Sequence, residues 1–357
     1  MNDLLLLYSH CIIVRGAQRS TICDLQRSEI HLIPNSFADL FNDDRYLDIQ
    51  NIQLQLEAEQ QEILKEYIHF IEAEELGFYC SHDDLQHFPK VSKEWLFPAH
   101  ITNCILDANN VMNYFNKDLL DQLDDLCCSY IQFRFYGWVT IDYLNHIMSL
   151  INTSQIKSVS FILPLHQKED KMLSGFSSNH KKISQIIMYG APESKILQHG
   201  KQGMGVVLQV RDDISSHLNC GVINSDFFSV NIPTYTESLH FNSCLNRKIA
   251  LDAEGNIKNC PSMKESYGNI KNTSLKEAFN TSGFKKYWKI KKDNITKCKD
   301  CEFRHVCTDC RAYIEEPENI YSAPLKCGYD PYSCEWEDWA TNPRKEMTFK
   351  HYEILNH

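Results

Sequence analysis

Short apolar runs separated by turn residues open the chain and predict a small β-sheet. The runs cover residues 5–8, 11–14, 21–25 and 30–33, each the length of one strand. Pro34 and the polar residues after it then begin a helix that runs through Phe37 and Phe41. A longer helix is predicted over 56–76, where apolar residues recur at helical spacing and Gly77 ends the pattern. The first eighty residues therefore predict a β-then-α module.

Residues 90–235 alternate between apolar runs and helical patterns, which indicates repeated βα units. Strands are predicted at 101–107, 130–135 and 157–163, with weaker candidates at 183–189, 205–210 and 220–224. Helices are predicted at 111–126 and 141–151. Such units form a parallel sheet with helices packed on it. The number of strands favours a partial barrel or an open sheet over a closed eight-strand barrel.

The region 240–340 begins with a predicted β-hairpin. Apolar residues at 249–251 and 257–258 flank a turn in which Gly255 supplies the positive φ that a tight turn needs. Short helical pieces follow at 274–279 and 283–289. The last residues, 341–357, are predicted to be a tail.

Cysteine spacing carries the strongest chemical signal. The chain has 15 cysteines, and eight of them follow one pattern: Cys244, Cys260, Cys298, Cys301, Cys307, Cys310, Cys327 and Cys334. Paired CxxC units place two thiolates on one tight turn, close enough to bind one metal centre. Eight sulfurs suffice for two four-sulfur sites, and their spacing alone does not separate zinc from iron–sulfur clusters.

Charge and hydropathy exclude several classes of protein. The net charge is −11, from 36 basic and 47 acidic residues, which argues against a nucleic-acid partner. The apolar run at 4–7 is too short for a secretory signal, and no run is long enough to cross a membrane. We therefore expect a cytoplasmic protein with no membrane association, whose reduced thiols favour metal binding over disulfides.

Other chemically interesting residues have ordinary explanations. The remaining cysteines are predicted to be buried thiols: Cys11, Cys23, Cys80, Cys104, Cys127, Cys128 and Cys220. His305 is predicted to be a solvated loop histidine, with metal ligation as the alternative. The lysines at 285–292 predict a solvated helix face. Because the chain has no serine–histidine–acid order and no phosphate-binding loop, no catalytic residue is assigned.

The cysteine pattern resembles the SPASM domain of radical-SAM enzymes that modify peptides and proteins. The resembling segments are Cys244-x10-Gly255-x4-Cys260 and Cys298-x2-Cys301-x5-Cys307. The family usually has three residues before its next cysteine, whereas Cys307 and Cys310 are separated by two. The closing segment, 310–337, resembles the peptide maturase of grasp-with-spasm systems, which accompanies an ATP-grasp ligase and a small precursor peptide.

This resemblance implies two auxiliary iron–sulfur clusters of the 4Fe-4S type, with zinc as the alternative. Carried over to this sequence, it assigns one cluster to Cys298, Cys301, Cys307 and Cys327. The other cluster receives Cys244, Cys260 and Cys310, and Cys334 is the nearest remaining candidate for its fourth ligand. If Cys334 does not bind, an iron with an open position results.

The CxxxCxxC motif that binds the catalytic cluster of radical-SAM enzymes is missing from the chain. The loop after the first predicted middle strand, 107–111, contains no cysteine. The middle region therefore resembles a degenerate, pseudo-radical-SAM scaffold, as in grasp-with-spasm maturases.

The N-terminal module resembles the RiPP recognition element, a winged-helix fold that binds a leader peptide by strand addition. The predicted architecture is α/β. It has a winged-helix-like module at 1–85, a degenerate partial βα barrel at 86–238, a SPASM domain at 239–340 and a tail at 341–357. The resemblance implies maturation of a ribosomally made peptide, with the precursor peptide and an ATP-grasp ligase as partners. A non-catalytic delivery adaptor and an electron-transfer protein are the alternatives.

Overall fold

The computed structural model describes residues 4–43, 45–166, 170–200 and 205–354. Two units divide the chain, and each is assembled from separate stretches of sequence. The terminal unit comprises Met1–Leu96, Ile223–Ser243 and Ile290–His357. The sheet unit comprises Phe97–Val222 and Cys244–Lys289.

The N-terminal segment of the terminal unit contains six strands and three helices. The strands are β1 (Leu4–Leu7), β2 (Cys11–Arg15), β3 (Arg19–Asp24), β4 (Glu29–Pro34), β5 (Tyr46–Asp48) and β6 (Gly77–Cys80). The helices are α1 (Asn35–Ala38), α2 (Ile49–Gln55) and α3 (Ala58–Ala73).

The four apolar runs at the start of the chain are confirmed as strands, but they belong to two antiparallel sheets. One sheet has the order β5-β1-β6 and the other the order β2-β3-β4. The shared core contains Leu5, Phe37, Leu64 and Ile71. The α3 helix buries Leu64 and Ile71 against this core, whereas its outer positions are exposed and, apart from Ile63, mostly polar.

The next segment contains eight strands and five helices. The strands are β7 (Asn103–Ala108), β8 (Tyr130–Phe135), β9 (Ser158–Pro164), β10 (Ile183–Tyr189), β11 (Lys195–Gln198), β12 (Val206–Gln209), β13 (Lys248–Leu251) and β14 (Ile257–Lys258). The helices are α4 (Lys117–Asp125), α5 (Ile141–Ile151), α6 (Asp170–Asn179), α7 (Ile232–Ser238) and α8 (Leu275–Asn280). Of these helices, α7 belongs to the terminal unit.

All eight strands form one sheet with the order β11-β12-β10-β9-β8-β7-β13-β14. Its six central strands are parallel, and β11 and β14 pair antiparallel at the two edges. The expected large, mostly parallel sheet is thus confirmed. The predicted strand at 220–224 is wrong, because Ile223 makes only an isolated bridge with Cys327. The strand β11 was missed, since its residues are largely polar and exposed.

The two faces of this sheet differ in chemistry because side chains alternate along each strand. One face packs against α4, α5, α6 and α8 with residues such as Leu106, Phe133 and Phe161. The opposite face carries Asp107, Arg134 and Ser160. The parallel register pairs Lys248 with Asn103, so Lys248 emerges on this polar face as well.

The C-terminal segment contains β15 (Tyr329–Asp330), β16 (Glu335–Trp336) and α9 (Glu346–His351). Part of the predicted tail is ordered against the terminal unit, since Phe349 of α9 is buried. Lys345 Nζ also donates to the carbonyls of Leu325 and Cys327 at 2.8 Å each. Residues 355–357 of the predicted tail lie outside the described residues.

Across the described ranges, no helix is both long enough and apolar enough to cross a lipid bilayer.

Candidate metal centres

The first CxxC unit of the terminal unit folds as a tight turn. The turn Cys298–Asp300 follows Lys297, whose φ is +68°. The N–H of Cys301 donates to the Cys298 carbonyl at 3.1 Å, which closes the turn. The N–H of Phe303 then donates to Cys301 Sγ at 3.4 Å. A backbone N–H directed at sulfur favours the thiolate form, which is the form that binds metals.

Four cysteines, two of them from the Cys298–Cys301 turn, line one cavity in the terminal unit. Cys298, Cys301, Cys307 and Cys327 border this cavity. Much of the remaining wall is apolar or aromatic and includes Ile223, Phe228, Phe303, Pro324, Tyr329 and Trp336. Few oxygen ligands are therefore available, and the sulfurs dominate the donor set. Four thiolates in one site are the ligand set of structural zinc and of iron–sulfur clusters.

A buried lysine lies against this four-thiol cavity. Lys292 is 4% exposed, and its Nζ lies 3.6 Å from Cys307 Sγ and 3.9 Å from Cys298 Sγ. Burial lowers the pKa of Lys292. The adjacent thiolates of Cys298 and Cys307 and the carboxylate of Asp309 raise it by more than burial lowers it, so the net shift is upward. The ammonium group is therefore retained inside the protein.

Beside the four-thiol cavity, the buried cations Lys292 and Arg311 outnumber the buried carboxylate of Asp309. Asp309 is 3% exposed and lies between two cations, Lys292 at 3.7 Å and the Arg311 guanidinium at 2.8 Å. Asn242 Nδ2 also donates to the Asp309 carboxylate at 2.5 Å. One carboxylate cannot neutralise two cations, and burying an uncompensated charge is costly. Metal-bound thiolates at Cys298 and Cys307 would supply the missing negative charge.

Without a metal, burial holds these sulfurs in the thiol form. Burial raises the pKa of Cys298 to about 11 and that of Cys307 to about 12, although Lys292 opposes both shifts. Burial also raises the pKa of Cys301, against the hydrogen bond from the Phe303 N–H. A bound cation reverses this balance, because a metal deprotonates a thiol that coordinates it.

In the sheet unit, the hairpin β13–β14 places Cys244 and Cys260 at its open end. Asp252 stabilises the turn: its carboxylate accepts from the N–H groups of Glu254 at 3.1 Å and Asn256 at 2.9 Å. Gly255 has a φ of +83°, as the spacing predicted. The antiparallel register pairs Ala250 with Lys258, so the chain before β13 and the chain after β14 run side by side.

A third thiol, Cys220, interacts electrostatically with Cys260. Burial raises the pKa of Cys260 to about 11, and the largest charge effect on it comes from Cys220, ahead of Lys248 and Cys244. Lys248 Nζ donates to Cys244 Sγ at 3.4 Å. Burial lowers the pKa of Lys248, but Cys244, Cys260 and Cys220 together raise it, so the net shift is upward. The ammonium group of Lys248 is therefore stabilised by the negative charge that these three thiols would carry as thiolates.

Near Cys220, the polar face of the sheet carries a buried ion pair. Arg134 Nε and Nη2 donate to the two oxygens of Asp107 at 2.6 and 2.7 Å. The Tyr136 hydroxyl donates to the same carboxylate. Burial lowers the pKa of Arg134, but Asp107 and, more weakly, Cys220 raise it, so the net shift is upward. Burial raises the pKa of Tyr136, and Asp107 and Cys220 add to this shift against the opposing effect of Arg134. Since the Asp107 carboxylate accepts from two partners, it is not available as a general base.

The remaining two predicted ligands, Cys310 and Cys334, belong to the terminal unit. Cys310 is 8% exposed. Cys334 is half-buried in the β15–β16 turn with a φ of +61°, and its Sγ lies 4.0 Å from the Pro331 carbonyl. Neither is among the residues that border the four-thiol cavity.

Residues 243–302 match the SPASM family, described as an iron–sulfur cluster-binding domain. This segment contains four of the eight predicted ligands: Cys244, Cys260, Cys298 and Cys301. The SPASM domain supports binding of an iron–sulfur cluster, and the convergent thiols, the backbone N–H on Cys301 and the buried Lys292 fit such a group. No curated protein matches the chain in sequence.

The structure corrects three predictions made from the sequence. Lys292 does not lie on a solvated helix face but is buried against thiols. His305 is not a solvated loop residue: it is 8% exposed, its Nδ1 lies 3.2 Å from Ser238 Oγ, and burial lowers its pKa to about 4. Cys127 is exposed rather than buried.

Two residues, Cys220 and Lys248, were not predicted from the sequence to belong to a site. Cys220 falls outside the motif spacing, and Lys248 reads as an ordinary hairpin lysine. The sequence signal for Cys220 was its position shortly before the polar turn 224–226, and that signal is weak.

Proposed function

We propose that this chain is a cytoplasmic iron–sulfur protein of ribosomal peptide maturation, which binds a precursor peptide and acts beside an ATP-grasp ligase. The observation that carries the proposal is the SPASM match at 243–302, which continues into cysteines that line the four-thiol cavity. The closing segment 310–337, with its resemblance to grasp-with-spasm maturases, supports the choice of peptide substrate.

Two 4Fe-4S clusters are proposed. Cys298, Cys301, Cys307 and Cys327 hold one of them. Cys244 and Cys260 are proposed to hold the other, and Cys220 is a candidate further ligand because its charge raises the pKa of Cys260. A role for Cys310 or Cys334 stays a prediction. When bound, such clusters supply electron transfer, or Lewis-acid chemistry at an iron with an open position.

The protein's own residues would set the conditions around these clusters. Lys292 and Lys248 offset the negative charge of the thiolates. The aromatic wall formed by Phe228, Phe303 and Trp336 limits the access of water to the four-thiol cavity.

The N-terminal module is the proposed site for the leader peptide, as in a winged-helix recognition element. Among the described strands, β6 pairs only with β1, so one edge of β6 is available for strand addition. A groove beside that edge is lined by Tyr8, Arg27, Glu72, Phe78 and Tyr79. Aromatic rings with charged groups of both signs suit a peptide that has apolar and charged side chains.

The first test is the iron, sulfide and zinc content of anaerobically purified protein, together with its absorption spectrum. About eight irons with matching sulfide per chain would support two 4Fe-4S clusters. About two zinc ions without sulfide would contradict cluster binding and leave a structural site.

The second test measures binding of labelled synthetic peptides that cover small open reading frames adjacent to the gene. We expect Tyr79→Asp on β6 to weaken binding, whereas Leu32→Asp on β4 should not, because β4 belongs to the other small sheet. Both side chains are exposed, at 40% and 50%, so both variants should fold. No binding at high micromolar concentration would count against the peptide proposal.

The adaptor is the second candidate, and the loop after β7 favours it. Residues 109–116 contain no cysteine, so the loop lacks the ligands of a radical-SAM cluster. In this version the protein delivers the precursor to the ligase and catalyses nothing itself. Peptide binding that survives complete removal of metal would favour the adaptor over an enzyme.

A further inference from the structure

A separate group of ligating side chains lies in the N-terminal segment of the terminal unit. His10 lies in the turn between β1 and β2, Cys11 is the first residue of β2, and Asp24 is the last residue of β3. One potential ligand atom from each residue lies within 4.8 Å of the other two. The ligand atoms of one metal ion must converge in this way. Here the three atoms are a ring nitrogen, a sulfur and a carboxylate oxygen, all of which bind transition metals.

The backbone fixes the three residues relative to one another. The register of β2 and β3 places Cys11 directly opposite Asp24, so their side chains emerge on the same face. The His10 carbonyl accepts from the Leu25 N–H at 3.0 Å, which holds the turn against the end of β3. The His10 ring stacks on Tyr8 with centroids 5.6 Å apart, and its Nε2 lies 3.6 Å from Asp24 Oδ1.

Asp24 provides an independent indication of a missing ligand. The residue is completely buried, and its Oδ1 accepts from the N–H groups of Gln26 and Arg27 at 2.9 Å each. Its Oδ2 is also buried but has no hydrogen-bond partner. Burying a carboxylate oxygen without a partner is costly, so native proteins rarely leave one unsatisfied.

The nearby guanidinium does not remove this cost. Arg27 Nη1 lies 3.7 Å from Asp24 Oδ2, which is beyond hydrogen-bond distance. The same group donates instead to the Glu74 carbonyl at 2.9 Å, and Nη2 donates to Glu75 Oε2 at 2.8 Å.

We propose that His10, Cys11 and Asp24 bind a divalent transition-metal ion of the zinc class. Sulfur and imidazole ligands disfavour calcium and magnesium, which prefer oxygen alone. Three protein ligands leave one coordination position for water or an incoming group. His10 is partly exposed and lines the groove beside β6, so the open position faces that groove. The metal would also tie the turn after β1 to the start of β2 and the end of β3.

The test is a cobalt(II) titration of the metal-free full chain and of its variants. Because other thiols of the chain also bind cobalt, the amount bound and the spectrum of each variant are subtracted from those of the wild type. We expect the wild type to bind one equivalent more than Cys11→Ala. The difference spectrum should contain a thiolate charge-transfer band and the visible bands of a four-coordinate ion. Cys23→Ala is the matched control, since Cys23 is buried in the neighbouring strand and belongs to none of the proposed ligand sets.

His10→Ala decides the result if Cys11→Ala fails to fold, because the histidine is partly exposed and lies in a turn. We expect it to weaken binding of this equivalent at least about tenfold. Zinc should raise the melting temperature of Cys23→Ala more than that of His10→Ala. Equal stoichiometry, spectra and affinity in all of these proteins would overturn the site. The result does not depend on cluster content or peptide binding, so the proposed function stands or falls separately.

Discussion

Lys292 Nζ lies 3.6 Å from the Sγ of Cys307, inside a cavity that three further cysteines line. A buried ammonium group at this distance from sulfur has a large electrostatic effect, because little water screens it. It stabilises negative charge on the thiolates and, through them, on anything they bind.

Replacing Lys292 by methionine removes this charge and keeps most of the side-chain volume. We expect the midpoint potential of the cluster in this cavity to become more negative by about 60 mV or more, because reduction adds a negative charge. A redox titration followed by electron paramagnetic resonance measures it. Lys299→Met is the control, since Lys299 is exposed on the adjacent turn. Equal potentials in the two variants would rule out this role.

The same variant should behave differently without metal. Since the buried ammonium group then loses its thiolate partners, we expect Lys292→Met to leave the free energy of unfolding unchanged or to raise it. Urea unfolding of the metal-free proteins measures this. A large loss of stability there would show that Lys292 acts mainly through packing.

Replacing Cys220 by alanine tests whether this thiol is a ligand. We expect the iron content to fall by about half, because the site with Cys244 and Cys260 would lose a ligand while the four-thiol cavity keeps all of its own. Iron and sulfide analysis measures it. Cys127→Ala provides the comparison, because Cys127 is an exposed cysteine of the same unit. Cys334→Ala, analysed in parallel, tests the ligand that the family resemblance suggested.

The buried pair of Asp107 and Arg134 should dominate the stability of the polar sheet face. We expect Arg134→Met to cost about 3–5 kcal/mol of unfolding free energy, because it leaves the Asp107 carboxylate buried without its cation. The double variant Asp107→Leu with Arg134→Met should recover most of that loss. A double-mutant cycle from denaturant unfolding measures the coupling, and simple additivity would contradict the prediction.

Asp252 should stabilise its hairpin in a pH-dependent way. Burial raises the pKa of Asp252, but hydrogen bonds from Asn256 and Lys258 outweigh it and lower the pKa below its ordinary value of 3.8. The unfolded chain therefore binds this proton first as the pH falls. The stability it contributes is complete well above pH 3.8 and is lost as the pH falls through the lowered pKa.

We expect Asp252→Asn to cost about 1–3 kcal/mol at neutral pH. The difference from wild type should shrink below pH 3.8, which urea unfolding at several pH values would show. A difference that stays constant down to pH 3 would contradict the charge-based explanation.

Apolar periodicity predicted the strands of this protein more accurately than cysteine spacing predicted its chemical sites. The strand 130–135, the helix 141–151 and the strand 183–189 have the bounds that apolar spacing indicated. The helix expected at 111–126 begins only at Lys117, because Asn116 accepts the N–H of Leu119 and sets the start. Sheet membership was not predictable, since β1 and β2 are adjacent in sequence yet pair in different sheets.

The sequence by itself determined that thiols would be paired on tight turns, because CxxC spacing acts within a few residues. It also determined the parallel sheet, because strands that alternate with helices along the chain form βα units, whose strands pair in parallel. Only the tertiary structure decided that the charge of Cys220 acts on Cys260, and that Lys292 lies beside the sulfurs of Cys298 and Cys307. Lys292 and Cys307 are 15 residues apart in sequence, and an ammonium group attracts a thiolate strongly only where burial excludes the water that would screen it.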